Sequence, residues 1–279
     1  MFTHALVTLA VILAALLLAA GALHLLGKLG LPAVADWFCR APGLDVWIFY
    51  FTIAPLIAGP VSLARGRPDD ASLWPAIALG LFIAVVAQVA AVLLWGWAHE
   101  FAHRKSAHGP RLVSQMNRSV GKFRNHAAVW WTAWAVPIFA AARIGQYLVY
   151  PPLTWLVRLP KYNTAEWINV SRHKFDGLVG HDLIWCLYCD WMTGVWSLGT
   201  EMLRNVESFW CPIRFRSDKK CENCTLDFPD LDNGWAPADG TLADVVKVHA
   251  EKYPGPDGIN GWFGHPTRLT VEGESPAQT

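Results

Sequence analysis

Near the middle of the chain, His99-Glu100-Phe101-Ala102-His103 has the residue types and spacing of a metal site. Residues four apart lie one above the other on a helix, so both imidazoles reach one ion with Glu100 beside them. An ion held this way lowers the pKa of a bound water, and a neighbouring carboxylate takes the proton. The pattern predicts His99 and His103 as ligands and Glu100 as general base. A third ligand has to come from elsewhere, and His108, Asp176 and Asp190 are the candidates, with Asp182 as a further alternative. The ion is a divalent metal, zinc first and iron second. The competing expectation is a pair of interfacial histidines that hydrogen-bond and hold nothing.

A second set of donors is the cysteines, five of which fall between positions 186 and 224. Cys211, Cys221 and Cys224 make a compact trio with the spacing of a tetrahedral metal site, and His265 is a possible fourth ligand. Cys186-Leu187-Tyr188-Cys189 lies upstream on an apolar stretch, as a redox dithiol or as small buried residues. A disulfide is the alternative for the trio if it faces an oxidising compartment.

The elements that must position these donors read as membrane helices. Of 279 residues, 53% are hydrophobic and only 16% charged, against about 25% charged in soluble domains. The net charge of +1 excludes a nucleic-acid partner. Many of the sixteen tryptophans stand at the ends of apolar runs, where indole favours the headgroup level. Four runs are long enough to span: 5–26, 46–64 with Pro55 and Pro60 inside, 72–98 with Gln88 as its one strongly polar residue, and 127–150 interrupted by Arg143. A lone arginine there snorkels or pairs. The segment 154–180 is mixed and reads as lying in the interface.

Helix 181–209 carries Asp182, Cys186, Cys189, Asp190, Thr193, Ser197, Glu201 and Arg204 at spacings of three and four. That stripe belongs against protein, another subunit or a polar cavity, and its buried acids need a cation or a proton. The helix is either a short fifth span or a buried interfacial one. Between positions 101 and 125 stand six Lys or Arg and no acid, which keeps this loop on the cytoplasmic side of a bacterial-type inner membrane. The N terminus then lies outside. The expected fold is an all-α polytopic membrane protein of four or five spans over 1–209, followed by a small irregular extramembrane domain over 210–279.

His99 to His103 at the end of a membrane helix resembles the zinc motif of site-2-type intramembrane proteases. That family takes its third ligand from an Asp in an L-D-G setting, for which Phe175-Asp176-Gly177 is the nearest text. The Asn and Pro that usually precede it are not reproduced. The same residues with Arg104 also resemble the first histidine box of membrane di-iron hydroxylases and desaturases. Those sites draw on further paired histidines, where this chain has His108, His126, His173 and His181 singly.

Two functions follow. One is a membrane metalloenzyme of zinc-hydrolase type working at the cytoplasmic interface. The other is a non-catalytic subunit, or an assembly or metal-delivery factor, of a membrane redox or oxygenase complex. Its metal site would be the tail cysteines, and the polar stripe of 181–209 would contact partner subunits.

Overall fold

The structure is a computed structural model that describes residues 2–68, 70–107, 111–175, 177–214, 236–237 and 240–261. By contacts the chain divides into two units, one of residues 1–140 with 168–194 and one of 141–167 with 195–279.

The first unit is built on α1 (Phe2–Lys28) and α5 (Leu73–Ala102), both long and apolar enough to cross a membrane. At 1.5 Å per residue each is about 40 Å or more, against a hydrocarbon core of about 30 Å. Between them, α3 (Gly43–Thr52) and α4 (Ala54–Arg65) meet at a 42° bend. The register of their contacts fixes direction. The start of α1 meets the end of α4, where Ser62 takes a hydrogen bond from the His4 ring (2.9 Å) and pairs with the Thr8 hydroxyl (2.9 Å). Further along, the Tyr50 hydroxyl in α3 donates to the Ala15 carbonyl. Leu9 packs on Leu63, Ala76 and Ile83, while Ile12 and Leu16 pack on Ala87 and Ala91. So α1 and α5 run the same way, and α3–α4 runs against both along their length.

Small residues let these helices approach, as packing between membrane helices requires. The buried side of α5 is Ala76, Gly80, Ile83, Ala84, Ala87, Ala91 and Gly96, at spacings of three to five apart from the adjacent Ile83 and Ala84. A Cβ on Gly59 would strike the Gly80 carbonyl, and one on Gly80 would strike the Pro60 backbone. The α4–α5 crossing is therefore backbone against backbone.

The break between α3 and α4 follows from Pro55, at the start of α4. Proline has no N–H to offer the carbonyl four residues back, which is that of Phe51. The Gln88 amide fills the gap, donating to the Phe51 and Thr52 carbonyls at 2.8 Å each. The one strongly polar residue of the third apolar run thus repairs the break in the second.

The rest of the first unit docks on this bundle. After α2 (Pro32–Phe38), residues 39–41 pair with 168–170, through Ala41 N–H to Ile168 and Val170 N–H to Cys39. The α11 helix (Gly180–Trp210) begins in this unit and ends in the other. Its buried Trp191 donates its indole N–H to Asp45 at 2.7 Å. Past α5, α6 (Leu112–Val120) and α7 (Lys122–Thr132) form a hairpin about Gly121, whose φ of 88° suits glycine.

The second unit takes in most of α8 (Val136–Leu148), with α9 (Tyr150–Leu156) and α10 (Thr164–Trp167). Arg143 is buried and paired, donating to the Gln146 amide oxygen (2.8 Å) and the Tyr147 hydroxyl (2.9 Å). Gln146 in turn donates to the Val195 carbonyl. Among the C-terminal residues, β1 (Ile213–Arg214) pairs in parallel with β2 (Ala236–Pro237). The α12 helix (Leu242–Lys252) opens on a Thr241/Asp244 capping box. Phe209 of α11 rests on the His249 and Tyr253 rings.

The described structure is helical apart from that short strand pair. Three helical stretches could cross a membrane (α1, α5 and Lys122–Leu156), or four if α3–α4 is one broken span. The fifth span expected over 181–209 is not among them. Asp182, Asp190, Glu201, Arg204 and Glu207 interrupt its apolar run.

Candidate metal centre

His99 and His103 stand one turn apart at the end of α5, with ring centroids 4.4 Å apart and nearly stacked. Because α1 runs parallel to α5, its own last turns arrive at the same end and bring His24 onto the pair. Its ring lies 5.3 Å from that of His99 and 5.1 Å from that of His103, edge-on to both. One ring nitrogen from each of the three lies within 4.8 Å of the others, and all three residues are half-buried. A tetrahedral ion with metal–nitrogen bonds of about 2.1 Å holds its nitrogens about 3.4 Å apart. The three nitrogens have to close by up to about 1.4 Å to reach that spacing.

Two features bear on whether the rings are free to bind. His103 Nε2 is buried and has no hydrogen-bond partner among the described residues, a costly state for a polar atom unless something is bound there. His99 Nδ1 accepts the Gly180 backbone N–H at 3.1 Å. In a neutral ring this puts the proton on Nε2. An ion at His99 therefore displaces either that proton or the Gly180 bond.

The Gly180 bond depends on two glycines. Gly180 has φ of 61°, and a Cβ there would fall 2.8 Å from the Gly96 carbonyl and 3.0 Å from Glu100 Cβ. Only a bare backbone lets α11 begin this close to α5. Trp95 walls the site, 5.9 Å from the His24 ring and 6.3 Å from that of His99.

Glu100 faces different company. Arg111, just ahead of α6, donates to its two oxygens at 2.5 and 3.3 Å. Arg111 Nε also lies 3.5 Å from the Asp182 carboxylate. One guanidinium thereby ties the last turn of α5 to the first turn of α11, and both Glu100 oxygens are engaged.

Of the expected third ligands, His108 and Asp176 lie outside the described residues. Asp190 lies with a different set of residues. Arg172 Nε is 2.5 Å from one of its oxygens, and the Ser171 and Arg172 backbone N–H groups reach the other at 3.2 Å. Its buried charge has the cation it needs. The Arg172 guanidinium also lies near the Cys186 and Cys189 thiols. Burial pushes the Cys186 thiol above its ordinary pKa, with Arg172 pulling the other way, so that thiol stays protonated at neutral pH. Of the tail trio, Cys211 is exposed just past α11, while Cys221, Cys224 and His265 lie outside the described residues.

His24 is the residue that sequence reasoning missed as a ligand. Its signal was a histidine near the end of an otherwise apolar run two runs before that of His99, so that alternating helices bring both to one end. No family model matches the chain, and no curated protein or solved structure matches it.

Proposed function

We propose that the protein is a multi-pass membrane metalloprotein whose His24, His99 and His103 hold one divalent transition-metal ion, zinc before iron. The observation that carries this is the meeting of three imidazoles from two helices, with His103 Nε2 buried and unpartnered. Imidazole donors suit zinc, copper, iron and nickel rather than the hard calcium and magnesium ions. Three protein ligands with an open position are the pattern of catalytic rather than structural zinc. The best reading is therefore a hydrolase-type metalloenzyme, in which the ion lowers the pKa of water and Glu100 accepts its proton once Arg111 lets go.

In this reading α1, the broken pair α3–α4 and α5 are three crossings, and Lys122–Leu156 is not a fourth, because Ile168, Val170 and Gly180 after it bond back to the end of the bundle that holds His24 and His99. The antiparallel run of α3–α4 beside α1 supports one crossing rather than a re-entrant loop. The basic segment after α5 puts the histidines at the cytoplasmic side of a bacterial-type inner membrane. The polar residues from 210 onward make a small extramembrane domain, with Cys211, Cys221 and Cys224 as a second metal site.

The clamp of Arg111 on Glu100 and Asp182 favours a second reading, in which the ion is structural or in transit. The protein is then a non-catalytic subunit or a metal-delivery factor of a membrane complex, and the polar side of α11 meets partner subunits.

The test is metal analysis of the purified protein carrying Cys221→Ser and Cys224→Ser, with and without His24→Ala. One ion per chain is expected in the first and none in the second. Equal metal in both overturns the three-histidine site. Glu100→Gln then separates the readings: the enzyme keeps its ion but loses turnover by about a hundred- to ten-thousand-fold.

A further inference from the structure

The hairpin of α6 and α7 has a face that none of the described residues covers. On α6, Leu112, Val113, Met116 and Val120 fall within about 100° of one another around the axis at 100° per residue. Leu112, Met116 and Val120 are all exposed, and α6 buries none of its residues. Phe123, at the start of α7, is 84% exposed, more than a folded protein surface ordinarily leaves to a phenyl ring. Beside Val113, the edge of this stripe meets α7 through Asn125 donating to Asn117 at 3.0 Å.

The charge in this segment is all of one sign. Arg118, opposite the stripe on α6, and Lys122 and Arg124 at the start of α7 are exposed, and the segment 101–125 has no acid. Arg104 lies 5.2 Å over the Phe101 ring, another exposed aromatic at the end of α5. An exposed apolar stripe backed by positive charge fits a surface that is apolar below and anionic above, which is a leaflet containing acidic phospholipid.

We infer that the α6–α7 hairpin lies in the plane of the membrane interface and selects anionic phospholipids. Leu112, Met116, Val120 and Phe123 dip below the headgroups, and Arg118, Lys122 and Arg124 hold the phosphates. This rests on the membrane reading of α1 and α5 and is independent of the metal site.

The test uses the full chain in nanodiscs of phosphatidylcholine with a minority of phosphatidylglycerol, counting the lipids that stay bound in native mass spectrometry. Phosphatidylglycerol should be enriched over its share of the mixture. A variant with Arg118→Gln, Lys122→Gln and Arg124→Gln should lose that enrichment, by about fivefold for each charge removed, while keeping the helix content of the wild type. Equal enrichment in both proteins overturns the inference, as does no enrichment in the wild type. A chain that fails to enter nanodiscs and is extracted from membranes by alkaline carbonate overturns the membrane reading instead, so the two failures are distinguishable.

Discussion

Two groups of side chains with metal-ligand atoms lie in the first unit and differ in what already engages them. At the ends of α1 and α5, three imidazoles face one another, and His103 Nε2 is buried without a partner among the described residues. On α11, Cys186, Cys189 and Asp190 also sit within one turn, but Arg172 and two backbone N–H groups take up the carboxylate. The first group has donor atoms to spare, whereas the second is satisfied within the chain. Suitable spacing makes a site only when the lone pairs it supplies are not already spoken for.

That contrast can be broken most directly at its ligands. His24→Ala should lower affinity for the ion by more than a hundredfold, since loss of a supporting partner alone costs about 10–100-fold. Asp190→Asn should leave metal content unchanged and instead destabilise the fold by about 1–3 kcal/mol, as Arg172 loses its carboxylate. Thermal melting with metal analysis on both variants reads the two effects. Loss of the ion in Asp190→Asn alone would reverse the assignment.

A middle-sized effect is expected from Gly180→Ala. The left-handed backbone costs about 1–2 kcal/mol for a residue with a Cβ, and the methyl would push on the Gly96 carbonyl. The His99 bond to Gly180 loosens, so metal affinity should change along with melting temperature, while the Arg172–Asp190 pair is untouched. A variant that melts lower but titrates metal like the wild type would show that the Gly180 bond does not orient His99.

The smallest effect belongs to Arg111→Gln. This pair is partly exposed, so its loss should cost under about 1 kcal/mol and leave metal content as it was. If the protein is a hydrolase, freeing Glu100 should raise turnover. Release of the ion by this change would instead make Arg111 part of the metal site's support.

Much of the framework was legible in the chain. Apolar run length located α1, α5 and the stretch around α7–α9, and Pro55 marked a weak point in the second run. The buried acids of α11 were expected to need cations, but Arg111 and Arg172 as those cations depend on which loop folds back onto which helix. Gln88 looked like a stray polar residue because its partners, the Phe51 and Thr52 carbonyls, lie on another helix. His24 was hidden for the same reason. Its distance from His99 follows from the parallel run of α1 and α5 and a backbone contact at Gly59 and Gly80, and no local period encodes that.

The measurement that bears most directly on the three-histidine centre is X-ray absorption at the edge of the metal bound to the Cys221→Ser, Cys224→Ser protein. The account predicts nitrogen neighbours at about 2.0–2.1 Å with the outer-shell scattering of imidazole rings, diminished in His24→Ala. Sulfur at about 2.3 Å, unchanged by His24→Ala, would place the ion on the cysteines of α11 and contradict the account.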